Sequence, residues 1–125
     1  MMELAKVTYK KISGNDVIFI EALENPTTDS MLAMVKKVKK LREKYDCDLV
    51  LLDGRKSRSI PPFPAILQMA KEFLLKKDLS GLKIAMITGE NIKSNVGFFA
   101  NFMTNRGILI NRFSDMDSAE DWLFL

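Results

Sequence analysis

Histidine is absent from this sequence, and its absence removes several classes of enzyme at once. Imidazole is the most frequent general base, a principal zinc ligand and the base of serine and cysteine triads. The single cysteine, Cys47, excludes a disulfide or a thiolate metal cluster within one chain. We therefore expect no catalytic residues, no metal site and no cofactor, although an enzyme that needs neither histidine nor thiol stays open.

The sequence also lacks glycine-rich phosphate loops and long apolar runs. Its six glycines fit neither the Gly-x-Gly-x-x-Gly nor the Gly-x4-Gly-Lys spacing. No uncharged stretch reaches the roughly 20 apolar residues of a membrane span, and the start of the chain lacks the apolar segment of a secretory signal. Together with the lone cysteine, these absences predict a cytoplasmic chain with no membrane span.

What the sequence does contain is the composition of an ordinary globular domain. Of its 125 residues, 47% are apolar and 28% are charged, which suits a chain that buries a core. This length falls within the range of one domain, so we expect a single domain over residues 1–125.

The net charge of +3 is mild and comes largely from one predicted helix. The cations of that helix are Lys36, Lys37, Lys39, Lys40, Arg42 and Lys44. Cations favour the negative end of a helix, and no aromatic residues alternate with these for base stacking. A nucleic-acid partner is therefore not favoured, although attraction to nucleic acid or anionic lipid is the alternative interpretation.

The chain opens with the pattern of a β-hairpin. Alternating residues from Val7 to Lys10 are followed by the turn residues Ser13-Gly14-Asn15-Asp16 and by a second β-rich run, Val17 to Ala22. The segment Pro26-Thr27-Thr28-Asp29 then has a hydroxyl to cap a helix and an aspartate for its positive end.

Helices and short apolar strands then alternate to the end of the sequence. The strands are predicted at Leu49 to Leu52, Ile84 to Ile87 and Ile108 to Ile110. The later helices are predicted around Ile66 to Leu74, at Asn91 to Asn105, and after the acidic capping box Asp117-Ser118-Ala119-Glu120. This order predicts an α/β fold with a central mixed sheet of about five strands and about four helices.

Three features of this order resemble the STAS family, named for sulfate transporters and anti-sigma factor antagonists. They are the capped helix after Pro26, the strand ending Leu52-Asp53 before a serine-bearing loop, and the closing pattern Phe113-x5-Ala119-x2-Trp122-Leu123. The resemblance extends over nearly the whole chain. It implies a non-enzymatic bacterial regulatory domain that binds a protein, nucleotide or lipid.

In anti-sigma factor antagonists, a partner kinase phosphorylates a hydroxyl in the loop after the third strand. The corresponding loop here reads Asp53-Gly54-Arg55-Lys56-Ser57-Arg58-Ser59, with no adjacent Ser-Ser-Gly and with a cluster of cations. The resemblance implies Ser57 or Ser59 as a phosphorylation site. The leading hypothesis is a domain that acts by protein contact and is switched at one of these serines.

The loop after Asp53 also suggests a ligand site, because ligands of α/β sheets bind at the carboxyl ends of the strands. Its cations precede a helix whose N-terminal amides favour anions. The candidate ligand-binding residues of this loop and the next are Asp53, Arg55, Lys56, Arg58, Thr88 and Asn91. They predict a crevice for a small anionic, nucleotide or lipid ligand, and the alternative is a solvated polar loop.

The third helix is unusual because its residues from Ser94 to Asn105 include no charged side chain. A helix on the surface of a sheet normally shows a charged outer face. Phe98 and Phe102 widen its apolar arc, with Asn91 and Asn95 beside them, and the candidate interface residues are Asn95, Phe98 and Phe102. We predict that they contact a protein partner or a second copy of the chain, the alternative being a contact beneath the terminal helix with Trp122.

Overall fold

The computed structural model describes residues 4–74 and 79–125, without the side chains of residues 73, 74, 93–96 and 98. Its strands are β1 (Ala5–Ile12), β2 (Asn15–Ala22), β3 (Leu49–Asp53), β4 (Lys83–Ile87) and β5 (Leu109–Phe113). Its helices are α1 (Thr28–Tyr45), α2 (Phe63–Leu74), α3 (Lys93–Thr104) and α4 (Met116–Leu123), with a 3₁₀ turn at Glu90–Ile92. The predicted α/β order is confirmed.

The strands form one mixed sheet in the order β1-β2-β3-β4-β5. β1 is antiparallel to β2, and the other neighbours are parallel. Because β2 to β5 lie side by side in chain order and crossovers between parallel strands are right-handed, the three connecting helices must share one face. The register places Ile18, Val50, Ile84 and Ile110 in one row across the sheet.

The hairpin turns on two residues, Ser13 and Gly14, as the sequence predicts. Their φ angles are 50° and 81°, so both lie in the left-handed region that a two-residue hairpin turn requires. Glycine adopts that region without steric cost, which explains its place in the turn.

α1 begins at a reciprocal capping box. The hydroxyl of Thr27 accepts a hydrogen bond from the Ser30 amide at 3.0 Å, and the Ser30 hydroxyl accepts one from the Thr27 amide at 2.9 Å. The predicted helix start is therefore confirmed, because two otherwise unpaired amides are satisfied locally. Within the described residues no helix, α1 included, has the length and apolar character needed to cross a bilayer.

The last strand and helix differ from the prediction. β5 occupies Leu109–Phe113 instead of Ile108 to Ile110, because Phe113 pairs with Ile87 across the sheet. α4 is then capped by Asp115, whose carboxylate accepts a hydrogen bond from the Ser118 amide at 2.8 Å. The predicted cap at Asp117 is wrong, since the extended backbone at Asp115 already places a carboxylate over the free amides.

The two faces of the sheet carry separate apolar layers. The layer under α1, α2 and α3 includes Ile18, Ile20, Val50, Ala70, Leu82, Met103 and Ile110. The layer under α4 includes Val17, Leu51, Ala85, Ile87, Ala119 and Leu123. Trp122 packs on Phe113 in the second layer, with ring centroids 5.6 Å apart. The predicted alternative that α3 lies beneath Trp122 is therefore wrong.

Candidate functional site

α2 covers the central strands at a distance. In the described residues no Cα of α2 lies within 8 Å of a strand Cα, whereas α1 and α3 reach β1, β2 and β5 at that distance. α2 instead contacts its neighbours α1 and α3. The space between α2 and the sheet is an apolar cavity of about 170 Å³.

Side chains from three helices and the central strands line this cavity. Its floor consists of Val50, Leu52, Ile84 and Met86, and its cover includes Met34, Val35, Val38, Ile66, Met69 and Phe99. Five of the eight methionines in the sequence line it, namely Met31, Met34, Met69, Met86 and Met103. Thioether side chains are flexible and polarisable, so these walls can adapt to apolar ligands of different shapes.

The cavity reaches the carboxyl edge of the sheet at Gly54, Ser57 and Thr88. The Gly54 amide donates a hydrogen bond to the Ile87 carbonyl at 2.8 Å, which joins the ends of β3 and β4. A Cβ at Gly54 would lie 3.2 Å from that carbonyl oxygen, so a side chain there would crowd the cavity mouth. The predicted site at this edge is thus connected to an apolar interior.

The two candidate phosphorylation sites have different environments. Ser57 is only 6% exposed, and its hydroxyl donates a hydrogen bond to the Glu24 carbonyl oxygen at 2.9 Å. Ser59 is exposed, and its backbone amide donates a hydrogen bond to the side-chain oxygen of Asn25 at 3.2 Å. Of the two hydroxyls, that of Ser59 is the one presented to solvent.

Two asparagines hold the loop that follows β3. The Asn25 side-chain oxygen accepts hydrogen bonds from the amides of Arg58 at 2.7 Å and Ser59 at 3.2 Å. Asn91 donates from its side-chain nitrogen to the Arg58 carbonyl at 2.5 Å. The structure therefore brings the predicted residues Arg58 and Asn91 together, but through the backbone of Arg58.

The other predicted cations of this loop have carboxylate neighbours. Arg55 makes two hydrogen bonds to Asp53, at 2.9 and 2.8 Å, and this guanidinium holds the pKa of Asp53 below its usual range. The Lys56 ammonium lies 3.9 Å from the Glu21 carboxylate. Asp53 and Arg55 thus neutralise each other, and the predicted anion site at this loop stays a prediction.

Thr88 follows β4 and is in direct contact with Arg112, a residue missing from the predicted site. The Thr88 hydroxyl oxygen accepts a hydrogen bond from Arg112 Nε at 2.7 Å, and its carbonyl accepts one from Arg112 Nη2 at 2.8 Å. Nη2 also contacts a Glu90 carboxylate oxygen at 3.3 Å. The Arg112 side chain is only 12% exposed and is ion-paired with Glu90, so it joins the ends of β4 and β5.

The predicted contact surface on α3 is described only in part. The side chains of Asn95 and Phe98 lie outside the described residues. Phe102 is half-buried against the core, and the Arg106 guanidinium lies 3.7 Å from its ring centroid. Phe102 is therefore partly covered by its own chain, and the interface with a partner stays a prediction.

The cavity itself was not predicted from the sequence. The sequence did contain one signal for it, the eight methionines among its 125 residues. Methionine is a flexible side chain that often lines adaptable apolar sites. The loop contacts through Glu24 and Asn25 had no such signal, because they join residues more than thirty positions apart.

No protein-family model and no curated protein sequence matches this chain. Among solved structures, the chain is similar to an uncharacterized protein of the DUF3478 family, with a SpoIIAA-like fold, from Shewanella loihica PV-4. The two chains are 15% identical, with a TM-score of 0.66 over 98% of this chain and 96% of that one. This similarity confirms the predicted STAS-like fold.

Proposed function

We propose that this STAS-like chain is a binding domain that holds a small apolar or amphipathic molecule between α2 and the sheet. The observation that carries the proposal is the cavity of about 170 Å³, walled by apolar side chains and reaching the carboxyl edge of the strands. Ligands of α/β sheets bind at that edge. A cavity of about 150 Å³ is known to hold one benzene, so this space suits a body of one aromatic ring or a short branched chain.

The chemistry of the walls favours binding over catalysis. Among the described residues that line the cavity, none has a side chain that titrates, and the polar ones are hydroxyl-bearing, such as Ser57 and Thr88. Acid-base catalysis needs a titratable group within hydrogen-bond reach of the substrate. The lining supplies shape and apolar contact, which are the requirements of a binding site.

The cavity also gives binding a measurable effect on stability. A ligand that fills the space restores dispersion contacts with the methionine and aliphatic walls. Because the ligand binds only the folded state, it raises the free energy of unfolding.

The experiment uses toluene as probe and methyl-labelled methionine as reporter. We expect toluene to shift the methyl resonances of the cavity methionines, while Met116, which begins α4 on the other face of the sheet, stays unshifted. Ile84→Trp places a large ring in the cavity and should abolish the shifts. The matched control, Leu109→Trp, adds the same ring at a position that is 50% exposed and should keep them. Unshifted cavity methionines at saturating toluene, or equal shifts in Ile84→Trp, would contradict the proposal.

A second candidate is a regulatory domain whose contact with a protein partner is switched by serine phosphorylation. Its support is the exposed hydroxyl of Ser59, in the loop that leads from β3 into α2. A phosphate there would add charge beside the amide that Asn25 holds. Intact-mass and phosphopeptide measurements on protein from its native cell test this candidate. A phosphate on Ser59 supports it, and unmodified protein carrying a copurified small molecule supports the cavity proposal instead.

A further inference from the structure

The strand β1 is an open edge of the sheet along its whole length. Its antiparallel ladder with β2 starts beside the two-residue turn, at the pair Ile12 and Asn15. Because hydrogen-bonded residues alternate in such a ladder, every second residue of β1 turns its amide and carbonyl away from β2. These outward residues are Ala5, Val7, Tyr9 and Lys11. No group within residues 4–74 and 79–125 makes a hydrogen bond to their backbones.

The opposite edge of the sheet, at β5, is shorter and partly closed by its own chain. The Ile108 amide donates to the Met103 carbonyl at 3.1 Å, and the Arg112 amide donates to the side-chain oxygen of Asn111 at 2.9 Å. Unpaired strand edges are templates for another strand, and proteins commonly block them in such ways. The free backbone groups of β1 therefore form the longer row available for pairing.

The side chains of β1 alternate between a polar row and an apolar row. Lys6, Thr8 and Lys10 are exposed on the face of the sheet that carries α4. Ala5 and Val7 are half-buried on the other face, at the margin of the apolar layer under α1. Among the described residues, neither Lys6 nor Lys10 forms an ion pair with a carboxylate. A strand added at this edge meets two cations on one face and apolar side chains on the other.

The two lysines favour an acidic strand over a second copy of the chain. Antiparallel pairing of β1 with its copy around a two-fold axis brings four lysine side chains onto one face, where like charges repel. Carboxylates on an added strand instead form opposite-charge pairs with Lys6 and Lys10 across the strands. Because these lysines lie four residues apart on one face, a matching strand has two acidic residues with the same spacing. Apolar residues next to these face the side of Val7 and Tyr9.

We infer that the β1 edge binds an extended acidic segment of a protein partner, which joins the sheet as a strand beside β1. The partner's main chain pairs with the outward amides and carbonyls, and its carboxylates pair with Lys6 and Lys10. In this mode of recognition, main-chain hydrogen bonds supply affinity and alternate side chains supply specificity. The edge is separate from the cavity beneath α2, so this inference is independent of the proposed binding function.

The test uses a capped peptide with the core Glu-Val-Thr-Val-Glu, which has the same order in both directions, and a matched peptide with the core Lys-Val-Thr-Val-Lys. Amide resonances and amide hydrogen exchange of β1 are measured by NMR during each titration. The glutamate peptide should slow exchange at the outward amides of Val7 and Tyr9, whereas the Thr8 amide is already bonded to β2. We expect it to bind about tenfold more tightly than the lysine peptide, since opposite-charge pairs replace like-charge pairs.

Two charge-reversed variants complete the test. Lys6→Glu combined with Lys10→Glu should reverse the preference, so that the lysine peptide binds more tightly. Lys36→Glu combined with Lys40→Glu makes the same change in net charge, with the same spacing, at exposed positions of α1. This control should keep the preference of the wild type. Absence of binding at millimolar glutamate peptide, binding that leaves exchange of the outward amides unchanged, or a preference that the first variant does not reverse would each overturn the inference.

Discussion

Ser57 donates its hydroxyl hydrogen to the Glu24 carbonyl oxygen at 2.9 Å, and this bond joins the loop after β3 to the loop before α1. Asn25, the residue after Glu24, accepts hydrogen bonds through its side-chain oxygen from the backbone amides of Arg58 and Ser59 in the loop after β3. The segment with the predicted phosphorylation sites is therefore also a contact between two loops. Because it leads into α2, it connects the carboxyl edge of the sheet to the cover of the cavity.

The first prediction compares the effect on stability of a negative charge placed at Ser57 and at Ser59. Ser57→Asp places a carboxylate in a buried position against the Glu24 carbonyl, so we expect the free energy of unfolding to fall by about 2–4 kcal/mol. Ser59→Asp is exposed and should change it by less than about 0.5 kcal/mol. Urea denaturation measures both. Equal losses in the two variants would mean that Ser57 is not held as described.

The second prediction concerns the titration of Tyr9. Its phenol donates a 2.5 Å hydrogen bond to Asp16, which, with burial and the charge of Asp16, raises the pKa of Tyr9 to about 12. Asp16→Asn should return this pKa toward the ordinary value of about 10. The contribution of this hydrogen bond to the free energy of unfolding is fully present below the ordinary pKa and is lost as the pH rises through the folded-state pKa of about 12.

Tyrosinate absorbance follows this titration, and Tyr45→Phe provides the background because the sequence has two tyrosines. Phenylalanine keeps the ring that stacks on Tyr9, with centroids 3.8 Å apart, and removes the other phenol. An unchanged Tyr9 pKa in the Asp16→Asn background would show that the hydrogen bond does not control it.

The third prediction is a pH dependence at Asp53. Hydrogen bonds from Arg55 lower the pKa of Asp53, so its contribution to stability is present above the ordinary pKa of about 3.9 and is lost as the pH falls through the lowered folded value. Because Arg55 is exposed, Asp53→Asn should cost about 1 kcal/mol or less at pH 7. Urea midpoints from pH 7 down to pH 2 measure the difference, which should shrink at the acid end. Arg55→Gln should show the same trend, and a gap that persists at pH 2 would point to another cause.

The fourth prediction compares two glycines whose backbone conformations differ, one in a helix and one in the left-handed region. Gly97 is exposed in the middle of α3, and a Cβ there meets nothing within 4 Å, so Gly97→Ala should stabilise the fold by about 0.5–1 kcal/mol. Gly14→Ala also has open space, but its φ of 81° is strained for alanine and should cost about 1 kcal/mol. Thermal unfolding compares the two, and changes of the same sign would contradict this reading of the backbone.

Features set by neighbouring residues were predicted well from the sequence. The Ser13-Gly14 turn and the Thr27 cap depend on backbone angles and hydrogen bonds within a few residues, so local chemistry is sufficient. The cap of α4 was misplaced because β5 is extended to Phe113 by pairing with Ile87, a contact that local pattern does not contain. Ser57, Thr88 and Asn91 were chosen as site residues from the sequence, but their hydrogen-bond partners were not foreseen.

By itself, the sequence determined the order of strands and helices, the hairpin turn, the cap of α1 and the lack of imidazole chemistry. Only the tertiary structure decided that Ser57 is buried on Glu24, that Arg112 binds Thr88, and that α2 stands away from the sheet over an apolar cavity. The physical reason is how far apart in the sequence the interacting residues lie. Periodicity and capping act within one or two turns of chain, whereas these contacts join residues 24 and 33 positions apart and exist only once three helices share one face of the sheet.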